Sequence, residues 1–254
     1  MAGSSNDSSP DPAIWLCPQV HASIATPPDW LINTEIHTAA RLSGARRQEY
    51  LSSRWLIRQA ISGASGRPPD SCRPVSGRPV ATQSPPGWTL SLSHSHGLCA
   101  CATSRGGALG LDIEPARRHP QWQKVVKRWF TSGEQSWLLE SDDPTHFLMV
   151  WTLKEAWLKA TGRGIAGNLK TLEVSSDFRL RGDQPETDWY ASCCRADGFL
   201  VTLVFRAEHP DTAPVIHRFP GPPADLGLAS GKPVKENAEP LLFRRIHPCH
   251  PLKE

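Results

Sequence analysis

In the run Leu109-Gly110-Leu111-Asp112-Ile113-Glu114, apolar residues alternate with small and acidic ones. A period of two predicts a β-strand whose successive side chains point to opposite faces. Asp112 and Glu114 therefore share a face and lie about 7 Å apart along the strand. Two carboxylates on one face repel each other unless a cation lies between them, so the pattern is that of either a metal site or a solvated strand face.

A second informative run, Trp151 to Lys159, lies inside a long helical pattern. Glu155 and Lys159 are four residues apart and so share one helix face. At an exposed position such a pair is ordinarily a surface ion pair, but the neighbouring turns are nearly all apolar and predict a narrow charged stripe on a buried helix. With Asp112 and Glu114, Glu155 makes an oxygen-rich pocket suited to Mg²⁺ and phosphate oxygens, and the lysine adds a point charge for the same phosphates. The pattern is that of a phosphoryl-transfer site.

These residues also carry a family resemblance. The runs from Gly110 to Glu114, from Trp129 to Glu134 and from Trp151 to Lys159 match, in order and spacing, the signature of the 4′-phosphopantetheinyl transferases: G-[VI]-D-x-E, F-[ST]-x-x-E and W-x-x-K-E-[AS]-x-x-K. Upstream, Gly77-Arg78-Pro79 and Ser91-Leu92-Ser93-His94-Ser95 resemble two further motifs of the Sfp-type branch. Each motif alone is weak, whereas five in the right order are specific. The sequence resembles this family over residues 41–206.

The resemblance implies an α+β fold made of two pseudo-duplicated α/β halves in one chain, with the active site in the cleft between them. It also implies an enzyme, expected to be a monomer, that moves the phosphopantetheine arm of coenzyme A to a serine of an apo acyl or peptidyl carrier protein and releases 3′,5′-ADP. In that reading Asp112, Glu114 and Glu155 hold Mg²⁺, and Glu155 takes the serine proton. Lys159 holds the phosphates, and Lys154 orients the helix or bonds the coenzyme. No internal sequence repeat is visible, and the residue pattern alone supports only α+β.

Candidate coenzyme-binding residues lie in the first half. Arg47, Arg54 and Arg58 fall on one face of a predicted helix, where a basic stripe is either solvated or faces a polyanion. The family's G-K-P lysine meets the coenzyme's phosphates, and Arg78 stands at that position here, which keeps the charge and changes the geometry. Ser93 and His94 match the family's S-H-S motif, which touches the coenzyme.

The segment that follows the proposed metal ligands is basic. Residues 115–130 contain five lysines and arginines and no acidic residue. Lys124, Lys127 and Arg128 recur at helical spacing opposite an apolar stripe. This face is either ordinary solvated surface or a docking surface for an acidic partner, and the carrier proteins of this family's reactions are small and acidic.

Composition excludes several classes. A net charge of +3 over 254 residues is too small to argue for nucleic acid. No run of 18 apolar residues predicts a membrane span, and the N-terminus lacks the pattern of a signal peptide. Seven cysteines, an odd number, favour a reducing cytoplasm, and the pairs Cys99/Cys101 and Cys193/Cys194 read as small buried hydrophobes rather than as zinc or redox ligands.

Periodicity and turn residues divide the chain. We predict a helix from about Glu35 to Ser62 with a break near Gly44, a helix after Pro120, another from about Thr145 to Thr161, and a hairpin at Asp197-Gly198. The predicted domains are a disordered tail (1–13), a coenzyme-binding half (14–108), a half with the metal and catalytic motifs (109–206) and an extended Pro-rich tail (207–254).

Two alternatives stay open at this point. One is a non-catalytic relative that keeps the fold and only binds coenzyme A or a carrier protein, although the intact carboxylates and lysines speak against it. The other is a pair of carboxylates that work without metal, as in a glycoside hydrolase. Dependence on a metal separates this second alternative from phosphopantetheinyl transfer.

Overall fold

A computed structural model describes residues 12–20, 24, 26–77, 80–117, 121–208, 210, 212–229 and 231–249. Helices and strands are both present, so the α+β prediction is confirmed. The N-terminal tail was predicted to be disordered over residues 1–13. Residues 1–11 lie outside the described residues, and Ala13 belongs to a strand. None of the helices in the described ranges has the length and apolarity needed to cross a bilayer.

The first part of the chain builds a helix-covered sheet and a separate sheet of two short strands. Its elements are β1 (Ala13–Pro18), α1 (Asn33–Ala40), α2 (Gly44–Ser65), β2 (Arg73–Pro74), β3 (Thr82–Ser84), β4 (Trp88–Ser95) and β5 (Leu98–Arg105), with a single 3₁₀ turn at Pro69–Ser71. The predicted break near Gly44 is confirmed, because α2 begins there with φ at +51°, a left-handed value that glycine adopts readily. Gly66, also left-handed at +71°, ends α2.

The second part builds the other sheet and its helices. Its elements are β6 (Leu109–Pro115), α3 (Trp122–Trp129), α4 (Ser132–Ser141), α5 (Pro144–Ala160), β7 (Leu172–Val174), β8 (Leu180–Gly182), β9 (Trp189–Ala196) and β10 (Phe199–Arg206). The hairpin at Asp197-Gly198 and the helix of Glu155 are confirmed. Helix α4 was missed, although Thr131 and Glu134 form a capping box at its start, a pattern that the sequence displays.

The two halves repeat one topology, which confirms the pseudo-duplication. In the first half the order is β1, α2, β4, β5, and in the second it is β6, α5, β9, β10. In the first half β5 pairs antiparallel with both β1 and β4. In the second half β10 pairs antiparallel with both β6 and β9 in the same way. Helix α2 buries one face of its sheet and helix α5 buries one face of the other. A third apolar cluster lies between the opposite faces of the two sheets, with Ile14 and Leu16 from one and Leu111 and Leu203 from the other.

Edge strands from the two sheets meet at β4 and β6. Each is the last strand of its own sheet. Serine hydroxyls rather than backbone carbonyls link them: Ser91 Oγ accepts from the N–H of Leu111 at 2.9 Å, and Ser93 Oγ accepts from the N–H of Ile113 at 3.3 Å. The site motifs of both halves are thereby brought together at one seam.

The prediction of an extended Pro-rich tail over residues 207–254 is wrong. Strand β11 (Val215–Arg218) joins the first sheet parallel to β1, β12 (Val234–Lys235) pairs with β11, and β13 (Glu239–Pro248) pairs antiparallel with β9 in the second sheet. Between β11 and β12 the chain packs on α2, where the indole of Trp55 donates to the carbonyl of Gly227 at 3.1 Å. The segment therefore ties both halves together. The division between residues 108 and 109 stays a prediction.

Cysteines in the described ranges behave as small hydrophobes. All seven are free thiols, and only Cys249 is exposed. Burial raises the pKa of the thiols of Cys99 and Cys193 to about 11, so these two are held as neutral thiols near neutral pH.

Candidate active site

Strand β6 lies directly on helix α5, and Gly110 makes this contact possible. A Cβ at residue 110 would lie 2.0 Å from the carbonyl oxygen of Ala156 and 2.4 Å from the amide nitrogen of Ala160. No other residue fits such an approach of backbone to backbone. The acidic face of β6 consequently meets the charged stripe of α5. Asp112, Glu114 and Glu155 are 7%, 9% and 8% exposed.

Lys159 makes an ion pair with Asp112 in this contact. Its Nζ lies 2.8 Å from Asp112 Oδ1, and it also donates to the carbonyl of Leu111 at 2.8 Å and to Ser93 Oγ at 3.2 Å. An ammonium group has three protons, and all three are used.

The hydroxyl of Ser93 also uses all of its hydrogen-bonding capacity. Its hydroxyl donates to Asp112 Oδ1 at 3.0 Å and accepts from Lys159 and from the N–H of Ile113. A hydroxyl has one proton and two lone pairs, so none of this capacity is left for another partner. Ser93, predicted to bind the coenzyme, thus lies against the carboxylate cluster. The neighbouring Ser95, which the sequence reading did not assign, donates to Glu114 Oε2 at 3.2 Å. The S-x-S-x-S alternation, which places all three serines on one face of β4, was the signal for this role.

Glu155 differs from the other two carboxylates. No hydrogen bond reaches its side chain from any residue that the structure describes. Burial, together with the negative charges of Asp112 and Glu114, raises the pKa of Glu155 to about 7, while the ammonium of Lys159 opposes the rise. Burial is also the main cause of a raised pKa at Asp112. A buried carboxyl group whose pKa lies near neutrality is suited to accept and return a proton.

The three carboxylates fit a divalent cation in chemistry and charge. They are hard oxygen donors of the kind that Mg²⁺ prefers, and their negative charge suits a cation. Across the described ranges, however, no three His, Cys, Asp or Glu side chains converge in a way that could hold a metal ion. Asp112 is instead directed at Lys159. The assignment of Asp112, Glu114 and Glu155 as metal ligands therefore stays a prediction.

A cleft of about 410 Å³ lies between the two halves beside Lys159. The first half contributes residues 80–81, 89–92 and 108, and the second half contributes residues 109, 159–160 and 162. Its walls are mostly apolar, with polar groups from Thr89, Ser91 and Lys159. A cleft of this shape, with few polar groups among apolar walls, is typical of a small-molecule site.

Two of the three arginines predicted on the basic face of α2 are buried beside one carboxylate. Arg58 is buried and pairs with Glu35 of α1, with Nη2 2.7 Å from Oε2, so its role is structural. Arg54 is also buried, 3.9 Å from the same carboxylate and stacked on Tyr50. Arg47 is half-buried. Arg78, the counterpart of the family lysine, lies outside the described residues. Arg47, Arg54 and Arg78 stay predicted as coenzyme contacts.

His94 points away from the carboxylate cluster. Because side chains alternate along a strand, it lies on the face of β4 opposite Ser93 and Ser95. Its side chain is about half exposed, and Nδ1 lies 3.3 Å from Oε2 of Glu49 on α2. Glu49 also accepts from Gln19 at 3.3 Å. Ser93 and His94, adjacent in the sequence, therefore serve two different surfaces.

Lys154 is a correction to the predicted catalytic set. It is fully buried, and its Nζ lies 2.7 Å from Glu134 Oε1. It also donates to the carbonyls of Leu169 and Leu172. All three ammonium protons are used inside the protein, so the expected bond to the coenzyme has no donor. The other expected role, orienting the helix, agrees with these contacts. Glu134 additionally accepts from the N–H of Val174 at 2.9 Å.

The basic helix face is exposed as predicted. Lys124, Lys127 and Arg128 all lie on the solvent side of α3, whereas Trp122 and Val126 are buried. Trp129 is 38% exposed, and the guanidinium of Arg128 stacks on its ring at 4.8 Å. An exposed aromatic ring beside basic groups is the composition found at protein-binding hot spots.

Comparison with known proteins bears on both halves. Residues 108–204 match the sequence profile of the 4′-phosphopantetheinyl transferase superfamily, and residues 35–104 match that of the 4′-phosphopantetheinyl transferase N-terminal domain. The holo-[acyl-carrier-protein] synthase of Thermotoga maritima, a solved structure, is 26% identical over 40% of this chain and 64% of that one. Its TM-score of 0.32 is too low to bear on the fold, which rests on the sheet topology described above.

Three relatives match parts of the chain. HetI, a 4′-phosphopantetheinyl transferase of Nostoc sp., is 31% identical over 137 residues, 51% of this chain and 57% of HetI. The protein slr0495 of Synechocystis sp., which carries the same family name, is 30% identical over 63% of this chain and 68% of its own length. Sfp of Bacillus subtilis is 32% identical over 34% of this chain and 38% of Sfp. The chain thus spans less than two thirds of the length of HetI and of Sfp. With two successive profiles and one relative matched over two thirds of its length, the chain belongs to the 4′-phosphopantetheinyl transferase superfamily.

Proposed function

We propose that this chain transfers the 4′-phosphopantetheine arm of coenzyme A to a serine hydroxyl of an apo acyl or peptidyl carrier protein. The serine oxygen forms a bond to the phosphorus that bears the pantetheine arm, and the bond from that phosphorus to the leaving 3′,5′-ADP breaks. The observation that carries the proposal is the close contact of β6 with α5, which brings Asp112 and Glu114 to the helix face of Glu155 and Lys159 beside the cleft between the two halves.

Glu155 is the residue suited to remove the serine proton, directly or through one water molecule. In the chain without a bound cation, its raised pKa places it near the pH at which a general base both exists as the carboxylate and binds a proton well. The desolvation that raises this pKa also strengthens electrostatic interactions in the site. Because the nucleophile belongs to the carrier protein, the reaction needs no nucleophilic side chain from this chain.

Asp112, Glu114 and Glu155 would hold Mg²⁺. A bound Mg²⁺ would supply charge neutralisation at the pyrophosphate and at the developing negative charge. Lys159, one helical turn from Glu155, is placed to donate to phosphate oxygens once its proton donors are released from Asp112, Ser93 and Leu111. The exposed basic face of α3 is the proposed docking surface for the acidic carrier.

The test is direct. The full chain is incubated with coenzyme A, Mg²⁺ and a panel of apo carrier proteins from fatty-acid, polyketide and siderophore synthesis, and the carriers are weighed intact by mass spectrometry. We expect at least one carrier to gain one phosphopantetheine group, and its serine-to-alanine variant to gain none. A chain that binds coenzyme A and carrier yet modifies none would be the non-catalytic relative. Equal activity in excess EDTA would remove the metal from the proposal.

A further inference from the structure

The contacts of Lys159 conflict with a phosphate-binding role in the state that the structure describes. All three of its ammonium protons are donated within the protein, to Asp112, Ser93 and Leu111. An ammonium group has no other means of hydrogen bonding a phosphate. To reach an anion, Lys159 must first give up at least the contact with Asp112.

The same contact occupies a carboxylate that is predicted to be a metal ligand. Asp112 Oδ1 accepts from both Lys159 and Ser93, so this oxygen is already engaged by two donors. In the described part of the chain, Lys159 is the lysine or arginine that forms an ion pair with Asp112. Its charge reduces the mutual repulsion of the three buried carboxylates, a repulsion that would otherwise be costly at this depth.

We propose that Lys159 is the resident counter-ion of the Asp112–Glu114–Glu155 cluster and is displaced from Asp112 when a divalent cation binds there. The inference rests on the proposed function, since it takes the cluster to be the metal site. The displaced ammonium then becomes the phosphate-binding group. Metal and coenzyme are thereby coupled: the cation frees Lys159, and the coenzyme's phosphates stabilise the freed ammonium. By linkage each ligand raises the affinity for the other.

The proposal predicts that removal of Lys159 raises the affinity for a divalent cation, a change that is not expected of a lysine that only binds phosphate. If Lys159 competes with the cation for Asp112, its removal leaves the site more negative and frees a ligand oxygen. Lys159→Met should therefore bind Mn²⁺ more tightly than the wild type in the absence of coenzyme. A charge removed within about 5 Å of a divalent ion gives a tightening on the order of tenfold or more. Transfer activity in the same variant should fall.

The experiment measures Mn²⁺ binding to the full chain, without coenzyme A, by electron paramagnetic resonance of the free ion at slightly alkaline pH. Lys235→Met is the matched control. Lys235 lies on β12 at the far edge of the first sheet, four strands from β4 and hence roughly 19 Å from the seam. We expect tighter binding for Lys159→Met and an unchanged affinity for Lys235→Met. Should Lys159→Met fold poorly, Lys159→Gln removes the same charge and keeps a donor for Leu111.

Thermal unfolding supplies a second readout. Without its counter-ion the variant should be less stable than the wild type in EDTA, and Mn²⁺ should raise its melting temperature by more than it raises that of the wild type. An unchanged or weaker Mn²⁺ affinity in both Lys159 variants would overturn the proposal. The activity of the wild type distinguishes this proposal from the proposed function. If the wild type transfers in a Mg²⁺-dependent way and the Lys159 variants bind Mn²⁺ no more tightly, only the counter-ion proposal is wrong. If the wild type modifies no carrier at all, the proposed function is wrong.

Discussion

Lys154 and Glu134 form an ion pair of 2.7 Å whose side chains are 1% and 0% exposed. It joins α5, which carries Glu155 and Lys159, to the start of α4. The two lysines of α5 therefore have different roles. Lys154 fixes the helix to the protein interior, and Lys159 faces the acidic cluster.

This relationship predicts a large stability effect at Lys154. Lys154→Met leaves Glu134 as a buried charge without its cation, and breaking a buried pair in this way costs about 3–5 kcal/mol. Urea unfolding should show that loss. Lys170→Met, an exposed lysine next to Leu169, should change the free energy of unfolding by no more than about 0.5 kcal/mol. A cost below about 1 kcal/mol for Lys154→Met would mean that the pair does not form in solution.

Metal dependence through the acidic cluster is a second prediction. Glu155→Gln removes the proposed base, and Asp112→Asn removes a proposed metal ligand. Each should lower carrier modification by about a hundredfold or more while circular dichroism stays unchanged. Asp177→Asn, a change to an exposed carboxylate between β7 and β8, is the control. Wild-type rates in either cluster variant, or in EDTA, would contradict the mechanism.

The pKa of Glu155 predicts how stability depends on pH when no divalent cation is present. Burial and the neighbouring carboxylates raise this pKa from 4.5 to about 7 in the folded chain. Between these values the folded state holds a proton that the unfolded state has released, so the contribution of this group to stability falls as pH rises from about 4.5 to about 7. Glu155→Gln removes that dependence.

Melting temperatures in EDTA between about pH 5 and pH 8 would measure it. Relative to the wild type, Glu155→Gln should gain stability as pH rises. The same comparison for Asp177→Asn should show no such trend. A difference between Glu155→Gln and wild type that stays flat across this range would show that Glu155 ionises at its ordinary pKa.

Coenzyme recognition by His94 and Arg78 is a fourth prediction. His94 is exposed on the α2 side of β4, where Glu49 can hold its ring. If it meets the 3′-phosphate, His94→Ala should weaken the binding of coenzyme A roughly tenfold and that of dephospho-coenzyme A much less. Arg78→Ala is tested in the same way, and His247→Ala, an exposed histidine on β13, is the control. Equal losses for both ligands would move the contact to the pyrophosphate, and no loss would remove the residue from the site.

Carrier docking on the basic face of α3 is a fifth prediction, separable from catalysis. Lys124 and Lys127 are exposed, so the Lys124→Glu, Lys127→Glu double variant should leave the core and the acidic cluster unchanged. Charges that steer an acidic partner act mainly on association and are screened over about 8–10 Å near physiological salt. The double variant should bind coenzyme A normally and show a raised KM for the carrier, with a weaker dependence on salt than the wild type. A wild-type rate in low salt would show that this face is ordinary surface.

The residue pattern accounts for much of the fold. Each correctly predicted helix, strand or turn depended on a short repeat or a local turn signal: the period of two in β6, the 3.6-residue period of α5, the glycine at the start of α2 and the Asp-Gly turn between β9 and β10. The duplication of the two halves was predicted only from the family resemblance. Helix α4 was missed although its capping box is equally local. The strands after Arg206 were not predicted. In β13, for example, only Leu242 and Ile246 are buried, and two core residues do not give a recognisable apolar period. Their pairing depends on partners far away in the sequence, such as β1 for β11.

By itself the sequence determined that three carboxylates and a lysine occupy one strand face and one helix stripe, because side-chain direction follows directly from the backbone period. Only the tertiary structure decided what those groups touch. Lys154 and Lys159 are five residues apart and so lie on different faces of α5. The helical period does not say what each face meets: α4 and residues 169–172 bury Lys154, while β4 and β6 surround Lys159. Ser93 and His94 are adjacent, yet one completes the acidic cluster and the other faces Glu49. Periodicity fixes the face on which a side chain lies, whereas the neighbour across that face is set by contacts between residues distant in the chain.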